Sequence, residues 1–219
     1  MRATTDPVRS ECPVLSEPEL VCLELAWEAA ANGSNPVGAV LLDSAGRVIV
    51  RARSRIRENR APAPQLAANR LAHAEINVVA QLQRTAMLAD HTLMTSLEPC
   101  PQCAAVLRQS GIPRLVYLGR DAWGGAACQL LNPVSRPPLP ALAVAGPRSD
   151  VVGAFASALP VADHLRRDPN SDYAAFHRER EPLLYSHAQA VLRAGWLERA
   201  TAGEELPLAQ LPEALLLPR

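Results

Sequence analysis

An α/β sandwich is the fold class predicted for this chain, and three observations predict it. Stretches with helical apolar spacing alternate with short apolar runs, the pattern of helices layered on a sheet. Turn signals such as Asn32-Gly33, Asp43 to Gly46, and Gly111 separate the segments. The hydrophobic fraction is 48% over 219 residues, enough for a core; aromatics are only 4%, so leucine, valine and alanine must do most of the packing.

Ser16, with Glu19 three residues on, starts a helix over residues 17–31 that places Leu20, Leu23 and Trp27 on one face. Residues 37–42 read as a buried strand, 43–46 as a tight turn and 47–52 as its hairpin partner. Residues 55–68 hold two prolines and no clean period, so they read as a loop. A second helix is expected over 71–84, apolar at Ile76, Val79, Ala80 and Leu82, and a short strand over 91–96. Proline at the first turn favours a helix over 101–110, which Gly111 ends, and 114–118 make another strand. After Asn132 the character changes. Residues 133–147 form a Pro- and Ala-rich connector, helical patterns follow around 151–159 and 173–197, and the tail from Glu204 reads as weakly structured. The expected division is therefore 1–132 and 133–219.

Formal net charge is zero and all 22 basic residues are arginine. A protein that tracks a phosphate backbone usually carries a basic excess, and none appears globally. The run Arg51, Arg53, Arg55, Arg57 and Arg60 has the alternation of a strand's solvent face and the loop after it. Five cysteines (Cys12, Cys22, Cys100, Cys103 and Cys128), odd in number and irregular in spacing, make a poor disulfide framework. Residues 1–13 lack the apolar run of a signal peptide, and no stretch reaches the ~18 apolar residues of a spanning helix. The expected location is the cytoplasm, with no membrane partner, where thiols stay reduced and free to bind metal.

Two short segments carry chemistry: His73-Ala74-Glu75 and Pro99-Cys100-Pro101-Gln102-Cys103. Catalytic zinc takes three protein ligands, commonly His nitrogen and Cys sulfur, and keeps a fourth position for water. A Cys-x-x-Cys at a helix start brings both sulfurs to one metal, and the helix dipole favours the thiolates. His73, Cys100 and Cys103 are thus the expected ligands of Zn2+. Glu75 is not needed as a ligand and suits proton transfer between the zinc-bound water and a departing amine. A Cys-x-x-Cys alone fits a redox pair or half of a structural zinc site. The upstream His-x-Glu argues against the first, and the single Cys pair against the second. His91, His164, His177 and His187 lack companion ligands at useful spacing and read as surface or packed residues.

H-x-E followed by P-C-x-x-C is the order found in zinc deaminases. On these residues the chain resembles the cytidine/deoxycytidylate deaminase superfamily, nearest to the branch holding bacterial tRNA adenosine deaminase, guanine deaminase and cytosine deaminase. The likeness covers roughly 20–131. It includes Asn35 to Val40, His73 to Asn77, Leu97 to Ala104, and Gly119-Arg120-Asp121-Ala122-Trp123-Gly124-Gly125-Ala126-Ala127. The resemblance implies a three-layer α/β/α sandwich around a mixed five-stranded sheet, with a helical C-terminal extension, and a homodimer. It also implies a hydrolase that deaminates a nucleobase, nucleoside or related aminated heterocycle. Zinc-bound water would be the nucleophile, Glu75 the catalytic proton shuttle, and the Ala74 backbone N–H a holder of the ring. Asn35 and Pro36 would line the pocket's edge.

Ser54 stands where the tRNA enzymes place a substrate-contacting asparagine, and Trp123 where they often carry lysine. Trp123 has two readings, substrate stacking and rim packing, while Asp121 reads as a turn residue and Arg120 as a solvated charge. Neutral charge, Trp123 and the extension favour a small-molecule substrate. RNA editing is the alternative, and a non-catalytic zinc scaffold is a third reading that Glu75 argues against.

Overall fold

The computed structural model describes residues 14–83, 88–126, 142–211 and 215. A mixed five-stranded sheet runs in the order β2-β1-β3-β4-β5. Its strands are β1 (Gly38–Leu42), β2 (Val48–Arg53), β3 (Thr92–Leu97), β4 (Arg114–Gly119) and β5 (Ala143–Ala145). β1 is antiparallel to β2 and β3, whereas β3, β4 and β5 are mutually parallel. The helices are α1 (Glu17–Ala31), α2 (Ala74–Val79), α3 (Pro101–Ser110), α4 (Val151–Arg167), α5 (Asp172–Arg180), α6 (Pro182–Arg193) and α7 (Trp196–Thr201).

Both faces of the sheet are covered, which explains why β1 reads as an unbroken apolar run. Ala39 and Leu41 face one way, into a cluster with Ala74 and Val78 of α2 and Ala104 and Leu107 of α3. Val40 and Leu42 face the other way, into a cluster with Leu23 and Trp27 of α1, Phe155 and Leu159 of α4, and Trp196. The result is the expected α/β/α sandwich. α1 starts as predicted: Glu19 Oε2 lies 2.8 Å from both the Ser16 N–H and its hydroxyl.

Two glycines let helices lie directly on the sheet. A Cβ at Gly38 would sit 2.5 Å from Leu25 Cβ, and one at Gly119 would sit 2.5 Å from the Ser157 nitrogen. Neither position tolerates a side chain without moving α1 or α4.

The structure departs from the sequence reading in several places. α2 does not begin near residue 71: His73 is its N-cap, with extended backbone (φ −75°, ψ 157°), and regular helix ends at Val79. Val79 and Leu82 still pack on the core beyond that point, which prolongs the apolar period past the helix. The expected helix end at Arg84 lies outside the described residues. The stretch expected to be helical over 173–197 is three helices, interrupted at Pro182, which cannot continue the preceding hydrogen-bond ladder, and at Gly195, which is left-handed (φ 65°). β5 lies inside the expected connector, a strand of three residues too short to leave a period. The expected boundary near 133 lies outside the described residues.

The tail from Glu204 is not weakly structured throughout. Trp27 Nε1 donates to the Glu204 carbonyl at 2.7 Å, and Leu211 and Leu215 are buried in the cluster that α1 and α4 share. Arg53 is not on a solvent face. It is 4% exposed and donates to Glu28 at 2.8 Å and to Glu58. Among the described residues no helix is long and apolar enough to cross a membrane.

Candidate metal centre and its pocket

The parallel strands β3 and β4 end side by side, with Leu97 paired to Gly119, and the chain beyond each C-terminus enters one cleft. Pro99 and Cys100 follow β3 and Asp121 follows β4, while His73 arrives from the loop before α2. His73 and Cys100 are each the N-cap of their helix, and neither side chain makes a capping hydrogen bond. Both are therefore free to turn toward a common point. Cys103, one turn into α3 and fully buried, completes the group.

His73 Nδ1 lies 3.6 Å from Cys100 Sγ and 3.4 Å from Cys103 Sγ, and the three ligating atoms are within 4.8 Å of one another. A tetrahedral zinc, with bonds of about 2.3 Å to sulfur and about 2.0 Å to nitrogen, holds such atoms about 3.5 Å apart. One imidazole and two thiols at these separations fit zinc by donor type and by spacing.

The electrostatics of the group follow from contact and burial. The Cys100 sulfur beside it raises the His73 imidazole above its ordinary value. Hydrogen bonds from the Cys103 thiol and from His73 outweigh burial and lower the Cys100 thiol to about 4. Cys103, as donor to Cys100 and buried beside Glu75, is pushed up. Burial also raises Glu75, which is 3% exposed.

Glu75 is in the first turn of α2, beside the ligands. Its Oε2 is 3.3 Å from Cys103 Sγ, and its Oε1 accepts from Thr95 Oγ1 on β3 at 3.3 Å. Thr95 Oγ1 is also 3.3 Å from the Gly38 carbonyl, so the carboxylate is referenced to two central strands. Asn77, one turn further, is wholly buried and clamps the loop before α2: its Oδ1 accepts from the Leu66 N–H at 2.7 Å, and its Nδ2 donates to the Leu66 carbonyl at 3.1 Å.

A cleft of about 100 Å³ opens over these groups. It brings together His73, Ala74, Glu75 and Cys100 with Asn35 and Ser54. The Ser54 hydroxyl is buried without a hydrogen-bond partner, as suits a group that meets a ligand. Pro36 does not line the cleft and is buried. Trp123 does not line it either. It is 51% exposed and packs edge-on against Tyr173 and Phe176, which favours rim packing over stacking in the pocket.

Four lining residues were not anticipated: Val37, Leu97, Glu98 and Asp121. Val37 and Leu97 form apolar walls at the mouths of β1 and β3. Asp121 accepts from the N–H groups of Trp123 (3.0 Å) and Gly124 (2.9 Å), the turn contacts expected of it, yet its carboxylate also faces the cleft, and burial raises its pKa. Its place directly after β4, at the end of a parallel strand, was the available signal.

The profile of the cytidine and deoxycytidylate deaminase zinc-binding region matches residues 19–119. The tRNA-specific adenosine deaminase of Rickettsia felis is 35% identical over 108 residues, 48% of this chain and 69% of that protein. The tRNA(Ile)-lysidine synthase of Deinococcus deserti is 39% identical over 106 residues, 48% of this chain but only 19% of the relative. A second such synthase, from Deinococcus radiodurans, is matched over 17% of its length, so the chain spans about a fifth of these two relatives. A solved structure from a study of A-to-I editing by tRNA:A34 deaminases is 34% identical, with a TM-score of 0.46, covering 57% of this chain and 94% of that one.

Proposed function

Because the chain belongs to the cytidine and deoxycytidylate deaminase family, we propose that it is a zinc-dependent hydrolase that removes an amino group from a nucleobase, a nucleoside or a related aminated heterocycle. The observation that carries this reading is the buried Glu75 carboxylate 3.3 Å from Cys103, within the His73–Cys100–Cys103 group and at the floor of the cleft. A purely structural zinc site has no use for an acid held there.

His73, Cys100 and Cys103 would hold the ion, which when bound supplies Lewis-acid activation of water at neutral pH. Glu75 takes a proton at its carboxylate and returns it to the departing nitrogen, so that ring C–NH2 and water become ring C=O and ammonia. Burial raises the Glu75 carboxyl above its ordinary value, the direction that suits a group which takes up a proton and then gives it back. The Ala74 N–H donates to a ring nitrogen or carbonyl at the cleft wall. Ser54 and Asn35 offer polar contacts, while Val37 and Leu97 exclude water from the ring faces.

In this reading residues 1–132 carry the chemistry and 133–219 are an extension, whose described residues pack against them. The substrate is a small molecule, and the protein acts as a cytoplasmic homodimer. One observation favours an RNA substrate instead. Arg57, Arg166 and Arg167 converge on the single buried carboxylate of Asp163, leaving cationic charge beside Asn35 at the cleft. Ammonia release by zinc-loaded protein and by Glu75→Gln, over free bases, nucleosides and an RNA hairpin, tests the proposal. Activity on a small ring that vanishes in the variant is expected. Activity confined to the hairpin replaces the substrate class, and undiminished activity in Glu75→Gln removes the mechanism.

A further inference from the structure

Asn35 enters the cleft from the short loop between α1 and β1, and the backbone of that loop is fixed independently of any ligand. The Val37 N–H donates to the Asn35 carbonyl at 2.7 Å across Pro36, a tight turn of three residues. The loop is also tied from outside. Arg57 donates from its backbone N–H to Ser34 Oγ at 3.2 Å and from Nη1 to the Gly33 carbonyl at 3.3 Å. These bonds set where the Asn35 side chain starts, but not which end of its carboxamide faces the cleft.

Arg167, the last residue of α4, makes that choice. Its Nη2 lies 3.5 Å from Asn35 Oδ1, and the same nitrogen is paired with Asp163, one turn back on the helix. Asp163 is wholly buried, and a carboxylate there needs cationic partners, which holds the guanidinium in place. A guanidinium offers donors only, so a carboxamide turned the other way would set N–H against N–H. The oxygen is therefore the end that faces Arg167. Among the described residues nothing accepts from Asn35 Nδ2, and Asn35 lines the cleft while Arg167 does not. The amide nitrogen is the polar atom left for a ligand.

We propose that Arg167 is a positioning residue that makes Asn35 a hydrogen-bond donor to the substrate, so that the site selects a ring presenting an acceptor to that wall, an oxo group or an unprotonated ring nitrogen. This rests on the deaminase reading and narrows its substrate class. A ring presenting an amine or N–H at that place meets donor with donor and leaves both without a partner. Arg167 acts through Asn35 and touches no reacting atom.

The test is equilibrium binding to zinc-loaded Glu75→Gln protein, which reads affinity without turnover. The probes are cytosine, guanine and adenine, their ribonucleosides, and a hairpin RNA presenting each base in its loop; the tightest is carried through the variants. Asn35→Ala is expected to weaken it about tenfold, the worth of one hydrogen bond. Asn35→Asp, which puts an acceptor where the donor was, should weaken it further than alanine does. Arg167→Ala should weaken it at least about threefold, with no further loss when it is added to Asn35→Ala. Arg166→Ala is the control, because Arg166 pairs with the same Asp163 at 3.3 Å and no described contact joins it to Asn35. Affinity there should stay within about twofold of the parent. Asp163 keeps two arginines in either single arginine variant, so its charge stays compensated. Binding to Asn35→Asp as tight as to the parent overturns the donor assignment. Equal losses in Arg166→Ala and Arg167→Ala, or a second loss from Arg167→Ala in the Asn35→Ala background, overturn the role of Arg167. Both results leave the deaminase reading standing. If no probe binds the parent, that reading itself falls, and the assignment with it.

Discussion

Asn77 holds Leu66 by both of its backbone groups, accepting the N–H at 2.7 Å and donating to the carbonyl at 3.1 Å. Those two bonds tie the long loop before α2 to the helix whose N-cap is His73. Asn77 Nδ2 also reaches the Arg53 carbonyl at 3.3 Å, so strand, loop and helix meet in one buried amide. Asn77→Ala leaves those groups without partners at a cost of about 1–3 kcal/mol. The urea midpoint should fall accordingly, and zinc should be lost to a competing chelator at lower concentration than in wild type. An unchanged chelator titration would mean that the clamp does not position His73.

Cys100→Ser and Cys103→Ser should each abolish stable metal retention, against about one zinc per chain in the parent protein. Metal analysis after dialysis against a mild chelator reads this directly. Retention of a full equivalent in either variant would remove that cysteine from the ligand set.

Glu75→Gln preserves the shape of the side chain and removes its ability to accept a proton. Zinc content should be unchanged, while ammonia release on the best substrate should fall by about 10²–10⁴-fold, the usual range for a general acid–base group. Loss of zinc together with activity would instead make Glu75 a support for the ligands.

Gly38→Ala should be destabilising, because the added Cβ would meet Leu25 at 2.5 Å where α1 lies on β1. A cost of about 1–3 kcal/mol is expected from overpacking, read as a lower thermal midpoint. A neutral result would show that α1 is free to lift off the sheet.

Arg148 joins the start of α1 to the start of α4, bonding Glu19 at 2.6 Å and both oxygens of Asp150. Its guanidinium holds the Asp150 carboxyl below the usual range. A carboxyl depressed in the folded state contributes stability above its unfolded pKa of about 3.9 and loses that contribution as pH falls through the folded value. Arg148→Ala should therefore melt at a lower temperature than wild type at pH 7, by an amount corresponding to about 1 kcal/mol or less for so exposed a pair. The two melting curves should converge as the pH falls below the ordinary carboxylate range. A constant gap across the series would show that the loss is one of packing and not of charge.

Much of the site was legible in the chain because its parts are local. The spacing within His73-Ala74-Glu75 puts a ligand at a helix N-cap and an acid in its first turn, and Cys100 and Cys103 take the N-cap and first turn of α3 in the same way. Such relations depend only on backbone geometry over a few residues. The alternation of elements and the capping box at Ser16 were readable on the same grounds, as was the strand character of β1 through β4. The extent of α2 was not, since apolar spacing persists in the turn beyond Val79, where Leu82 packs on the same core.

By itself, then, the sequence determined the donor set for zinc, the acid beside it and the α/β class, because each is written in residues that are near neighbours along the chain. Only the tertiary structure decided what surrounds them. It turned Asp121 into the cleft and Trp123 out of it, buried Arg53 against Glu28, and brought Arg167 to Asn35 across 132 residues of chain. Contacts of that range arise from which helix faces the sheet can bury and how closely Gly38 and Gly119 let the helices approach. No local spacing records such a choice.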